Sequence, residues 1–160
     1  MKSKHIQVRI RQCLELAKLS PCPRRQFGAM LIDPERNVIV ADGYNGAPRG
    51  APGTLCAGLY CERDVVGIKS GTHMERGCHH AEMNVICNAA AQGSSTAGKV
   101  LIVTGEPCLM CAKAIHHAGI IKVILVGGGY LGGADGVHYL QRNGIQIETT
   151  EGPADPRMSS

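Results

Sequence analysis

Two short stretches hold residue types able to run metal-assisted chemistry: His80-Ala81-Glu82 and, downstream, Pro107-Cys108-Leu109-Met110-Cys111. Cysteines at i and i+3 share one face of a helix, so Cys108 and Cys111 can bind one ion together. His80, at the start of another helix, completes three zinc ligands and leaves the fourth tetrahedral position to water. Glu82 is badly placed to bind the same ion but well placed to reach that water, the position of a general acid and base. Zinc lowers the pKa of bound water from about 15.7 to about 7, so Glu82 has only to take and relay the proton. Both ligand groups fall at expected helix N-termini, where the positive end of the dipole favours thiolate over thiol. A purely structural zinc ribbon is the competing reading, but it leaves Glu82 idle and wants a fourth Cys or His.

The elements that must position these residues follow from periodicity. Ile6, Ile10, Cys13, Leu14 and Ala17 recur at the helical period and predict a helix over 5–19, stopped by Pro21. Apolar runs at 27–32 and 38–41 flank the turn formers Asp33, Pro34, Glu35, Arg36 and Asn37 and read as a hairpin. A helix is expected over 81–91, with Met83, Ile86, Cys87 and Ala90 on its apolar stripe and Gly93 as its stop. Residues 100–103 and 121–126 read as buried strands around a helix over 107–118, a unit that requires parallel pairing. A shorter helix over 137–142 and a strand over 145–148 follow. Together these predict an α/β protein, a three-layer α/β/α sandwich around a central mixed sheet of about five strands. One domain is expected over 1–151, with an irregular Cys- and Gly-rich insertion at 43–78 and a frayed tail at 152–160. The insertion is too long for an idle loop, so function or metal is expected to order it.

Composition narrows the function classes. The 160 residues, 44% hydrophobic, suit one domain with an ordinary core rather than a disordered chain, and no internal repeat is evident. The apolar run around Val123 falls far short of the ~20 residues of a membrane span, and the N-terminus lacks the apolar core of a secretory signal. A soluble, cytoplasmic protein is expected, in which the 8 Cys are ligands or buried thiols rather than disulfides. A net charge of +4, dispersed except at Arg24 and Arg25, suits an anionic small molecule rather than a nucleic-acid arm.

HxE followed by PCxxC is the signature of zinc nucleobase deaminases. Gly43-Tyr44-Asn45-Gly46-Ala47-Pro48-Arg49-Gly50 and His80-Ala81-Glu82-Met83-Asn84 make the chain resemble the deoxycytidylate (dCMP) deaminase family. The likeness extends to the approach Cys22-Pro23-Arg24 before Phe27-Gly28-Ala29 and to the run after Cys111, covering roughly residues 5–130. HAE with PCxxC alone is specific for the chemistry and weak for the substrate; the segment 43–50 makes the choice. The resemblance implies a cytidine deaminase-like fold and hydrolytic deamination of dCMP to dUMP. Water adds to the carbon bearing the exocyclic amine, Glu82 carries protons to the ring nitrogen and then to the amine, and ammonia departs. It also implies His80, Cys108 and Cys111 as catalytic zinc ligands and Asn45 as a sugar or phosphate contact. Relatives in the family are mostly homo-hexamers, activated by dCTP and inhibited by dTTP.

Other residues are expected around this centre. Arg24 can pair with a 5′-phosphate in bidentate fashion. Ala81 and Tyr130 are candidates for the nucleotide wall. Asn45, Gly46, Arg49 and Gly50 offer amides for a triphosphate effector with Mg²⁺. Several members of the family carry an additional zinc beside the irregular segment, and the resemblance implies a candidate second site here. The set chosen here is Cys22, Cys56, His73 and Cys78, with Cys61 as the substitute for one of them. Cys13 and Cys87 read as packed core thiols, and His79, His116, His117 and His138 take no catalytic role. A polynucleotide deaminase would want a basic, aromatic channel, against which stand one Phe, four Tyr and no Trp. A zinc-stapled binding module without turnover is the alternative from another class.

Overall fold

The computed structural model describes residues 1–48, 50, 60–69, 72, 76–127 and 134–152. Helix α1 (Ser3–Ala17) buries Ile10, Cys13 and Ala17, three positions of the expected stripe. The hairpin follows as β1 (Gly28–Asp33) and β2 (Val38–Tyr44), turned by Asp33, whose Oδ1 accepts from the Glu35 and Arg36 amides at 2.9 and 3.0 Å. Asn37 adopts φ 61° in that turn, a conformation Asn tolerates better than most residues. β2 runs three residues beyond the expected 38–41, because pairing with β1 continues through Met30↔Asp42, Ala29↔Gly43 and Gly28↔Tyr44.

Helix α2 (Glu62–Val65) lies inside the irregular segment, α3 (Ala81–Ala91) has the expected bounds, and β3 (Val100–Val103), α4 (Leu109–His117) and β4 (Lys122–Val126) form the strand–helix–strand unit. Helix α5 (Ala134–Arg142) starts three residues before the expected 137, and β5 (Gln146–Thr150) ends the sheet. The strand order is β2-β1-β3-β4-β5, antiparallel around β1 and parallel from β3 to β5. This is the expected mixed sheet of five strands.

Strand alternation divides the core in two. Ala29, Leu31, Leu101, Val103, Val123 and Leu125 face α3, α4 and α5, which supply Val85, Ala112, Ile115 and Leu140. Met30, Ile32, Val100, Ile102, Ile124 and Val126 face α1 through Ile10 and Cys13. Each large side chain so buried contributes about 1.5–3 kcal/mol. Three layers result, with the N-termini of α3 and α4 on the same side of the sheet. No helix among the described residues is long and apolar enough to cross a membrane.

Two glycines set the spacing near those N-termini. A Cβ on Gly43 would lie 2.7 Å from the Val85 nitrogen, so β2 can approach α3 this closely only with glycine. A Cβ on Gly136 would collide with the Pro107 carbonyl, so α5 rests directly on the backbone that introduces Cys108. The close seat of α3 also corrects one expectation. Its buried positions are Ala81, Glu82, Val85 and Ala89, and Cys87 is exposed rather than packed in the core. Alanines let the helix approach the sheet, and this rotates the bulkier Met83 and Ile86 into half-buried positions.

Candidate active site

His80 is the N-cap of α3 and Cys108 the N-cap of α4, both with extended backbone, and Cys111 lies one turn into α4. The Sγ atoms of Cys108 and Cys111 each lie 3.5 Å from His80 Nδ1. Zinc bonds of about 2.3 Å to sulfur and 2.0–2.1 Å to nitrogen, opened to the tetrahedral angle, require an S···N separation of about 3.5 Å. All three ligand atoms fall within 4.8 Å of one another. The donor set therefore fits a single tetrahedral ion. Burial grades from exposed His80 to buried Cys111.

The electrostatics agree with the geometry. The Cys111 side chain hydrogen-bonds to Cys108 and, with His80, draws the Cys108 thiol down to about 3. The same contact, together with burial, pushes Cys111 up. Hydrogen bonding to Cys108 raises His80. Three donors thus share protons that a dication can displace. The Cys111 amide also points at Cys108 Sγ, 3.5 Å away, the helix-terminal contribution to thiolate stability.

Glu82 is 5% exposed in the first turn of α3, and burial raises its carboxyl above the ordinary range. It is in hydrogen-bond contact with Cys111, which puts it beside the ligand atoms. A carboxyl held in this way exchanges protons nearer neutral pH than an exposed one. Ala81, fully buried between His80 and Glu82, sits where a helix's first amides have no intrahelical acceptor.

The segment approaching the centre is latched by side chains. Asn45 is 4% exposed; its Oδ1 accepts from the Phe27 amide at 2.7 Å, and its Nδ2 donates to the Arg25 carbonyl at 2.9 Å. An amide side chain has two donor hydrogens and two acceptor lone pairs, so half its capacity is spent on the chain itself. Ser20 Oγ donates to the Asn45 carbonyl at 2.7 Å. Gly46 and His79 exchange backbone hydrogen bonds of 3.1 and 3.0 Å, tying the loop to the residue before His80. Ser20 and Gly136 were missed by sequence reasoning. Their partners are backbone carbonyls, which no pattern of residue types reveals.

Arg24 is engaged with the insertion. Its Nη1 lies 3.3 Å from Asp64 Oδ1 and 3.8 Å from Cys61 Sγ, and the Cys61 contact raises its pKa. Cys22 and Cys61 both act on this guanidinium, which brings them to one neighbourhood; Cys78 is half-buried just before His80. Gly50 is exposed with φ 74°. Arg49, Cys56, His73 and Tyr130 lie outside the described residues. Among the described residues, the group able to hold a metal is His80, Cys108 and Cys111. His116 is half-buried, its Nδ1 3.0 Å from Tyr139 Oη across the α4–α5 contact, away from that group.

Comparison with known proteins agrees with this geometry. Residues 3–127 match the family described as the cytidine and deoxycytidylate deaminase zinc-binding region. The chain is 33% identical over 136 residues to ComE operon protein 2 of Bacillus subtilis, covering 85% of this chain and 66% of that protein. It is 34% identical over 109 residues to the deoxycytidylate deaminase of Schizosaccharomyces pombe, covering 68% of this chain and 32% of that protein. It therefore spans about two thirds of the first relative and about a third of the second. With the deoxycytidylate deaminase of Mycobacterium phage D29 the identity is 32% over 110 residues, 68% of this chain and 83% of that one. The dCMP deaminase of cyanophage S-TIM5, solved in complex with dCMP and dUMP, superposes with a TM-score of 0.76 at 27% identity, over 94% of this chain and 99% of that one. A match over most of the chain, carrying both ligand stretches with it, places the protein in the cytidine and deoxycytidylate deaminase family.

Proposed function

We propose that this chain catalyses the zinc-dependent hydrolytic deamination of dCMP to dUMP, with release of ammonia. The observation that carries the proposal is the set of three ligand atoms at tetrahedral spacing with buried Glu82 beside them. The names of the relatives support the substrate, as does the cyanophage enzyme that holds dCMP and dUMP. The zinc ion, held by His80 Nδ1 and the Cys108 and Cys111 sulfurs, supplies Lewis acidity that brings the pKa of water to about 7.

The remaining work falls to the chain. Glu82 takes one proton of the attacking water on its carboxylate and delivers it to the ring nitrogen beside the reacting carbon; it then takes the second proton from the hydroxyl so added and delivers it to the departing amine, leaving the carbonyl and ammonia. Its burial keeps water from levelling that proton affinity. Asn45 has one amide hydrogen to offer the sugar while its other contacts hold it in place. Arg24 serves the 5′-phosphate by exchanging Asp64 for it, and Tyr130 walls the nucleotide.

Cys22, Cys56, His73 and Cys78, with Cys61 as the substitute for one of them, hold a second zinc that staples the insertion. Asn45, Gly46, Arg49 and Gly50 receive dCTP as activator and dTTP as inhibitor, with Mg²⁺, in a cytoplasmic homo-hexamer that supplies dUMP for thymidylate synthesis. The test is the initial rate with dCMP and with unphosphorylated deoxycytidine under matched conditions, followed by ultraviolet loss of the cytosine chromophore. A strong preference for dCMP is expected; equal rates, or none with either, would overturn the substrate assignment.

A further inference from the structure

Helix α3 carries two asparagines one turn apart, and both reach across to the edge strand. Asn84 Nδ2 donates to the Tyr44 carbonyl at 2.7 Å and lies 3.5 Å from the Gly46 carbonyl. Asn88 Nδ2 donates to the Asp42 carbonyl at 2.8 Å. The spacing i, i+4 on the helix, about 6 Å, is close to i, i+2 on the strand, about 6.6 Å, so one rigid face serves two carbonyls. Among the described residues β2 is the edge strand of the sheet, and the two amides occupy acceptors on its backbone.

The two bonds differ in what lies beyond them. Asn88 fastens the body of β2. Asn84 fastens its last residue, after which the chain enters Asn45 and Gly46. It does so from the helix whose first turns hold His80 and Glu82. Gly46 is tied to His79 by its own backbone, and Asn45 by Ser20, Arg25 and Phe27. The Asn84 amide is the side-chain tether that links this loop to the catalytic helix directly.

We propose that Asn84 is a positioning residue: it holds loop 44–46 in register with His80 and Glu82, so that substrate contacts on the loop and proton transfer on the helix act on one bound nucleotide. This rests on the reading of the protein as a dCMP deaminase. The Tyr44 carbonyl lies at an exposed bond, so solvent replaces the lost donor and the fold survives the substitution.

The test is a matched pair, Asn84→Ala and Asn88→Ala, in the zinc-loaded full chain. Both are expected to keep full zinc stoichiometry and to lose similar amounts of thermal stability. Asn84→Ala raises KM for dCMP about tenfold or more and changes kcat by less than about threefold; Asn88→Ala leaves both near the parent values. Hydrogen exchange at the Gly46 amide, which donates to the His79 carbonyl at 3.1 Å, quickens in Asn84→Ala and not in Asn88→Ala. Equal KM and equal Gly46 exchange in the two variants would overturn the assignment, as would loss of zinc in Asn84→Ala. An unmutated chain inactive on dCMP would remove the substrate reading, and the exchange comparison would then decide the tether by itself.

Discussion

The N-termini of α3 and α4 and the described residues leading from β2 to α2 are held in place by different physical means. At the helix ends, ligand spacing follows from helix geometry: His80 and Cys108 are caps, Cys111 is one turn on, and their separations match a tetrahedral ion. Among the described residues of the second region, the contacts include side-chain hydrogen bonds of Asn45 to Arg25 and Phe27 and of Ser20 to Asn45, a pair of backbone bonds between Gly46 and His79, and the ion pairs Arg24–Asp64 and Arg76–Glu62. The first region is built so that one arrangement is available. The second is built from contacts worth about 0.5–1.5 kcal/mol each, which can be retuned one at a time.

Substitutions in the first region should therefore be all-or-none, and those in the second graded. Cys108→Ala is expected to lose the metal and all activity above background, read by metal stoichiometry and the dCMP assay. Glu82→Gln should keep the metal and drop kcat by about 10²- to 10⁴-fold, the usual contribution of a general acid and base. A Cys108→Ala protein that retains one zinc per chain with activity would remove the distinction between the regions.

Arg24→Ala tests the second region. If the guanidinium exchanges Asp64 for phosphate, kcat/KM for dCMP should fall about 10- to 100-fold while that for deoxycytidine holds, the size of a hydrogen bond to a charged group. An equal fall for both substrates would assign Arg24 to anchoring α2 alone.

The smallest effect lies far from both regions and serves as a reference. Asp33 is drawn down to about 2, first by the Arg36 amide and then by Lys99, 2.7 Å away. Because the folded value lies below the unfolded ~3.9, its contribution is complete above about pH 4 and is lost as pH falls toward 2. Asp33→Asn should flatten that acid limb in thermal melts without touching deamination at neutral pH.

The sequence was most readable where residue type and spacing act together. His80, Glu82, Cys108 and Cys111 stand out because helix geometry converts short spacings into a shared face. The layers stand out because each strand alternates between two apolar partners. Four-residue α2 has no room for a period to show, and the start of α5 at Ala134-Asp135-Gly136 reads locally as a turn. Cys87 was misplaced because α3 is apolar nearly all round, so its buried side is chosen by small residues seated against Gly43 rather than by the largest ones. Asn45 as a strut was illegible for another reason: its partners are backbone atoms of Arg25 and Phe27, and any residue supplies those.

The contact between Gly136 and Pro107 bears on where the functional unit ends. The stretch that identifies the family stops at residue 127 and already contains His80, Glu82, Cys108 and Cys111. The helix that seats the approach to Cys108 begins only at Ala134, and it also gives Leu140 to the core and Tyr139 to His116. A fragment cut after β4 would keep every signature residue and lose the wall behind one of them. The boundary drawn by likeness and the boundary drawn by mechanics are two different places in this chain, and only the second is a safe point for trimming or grafting.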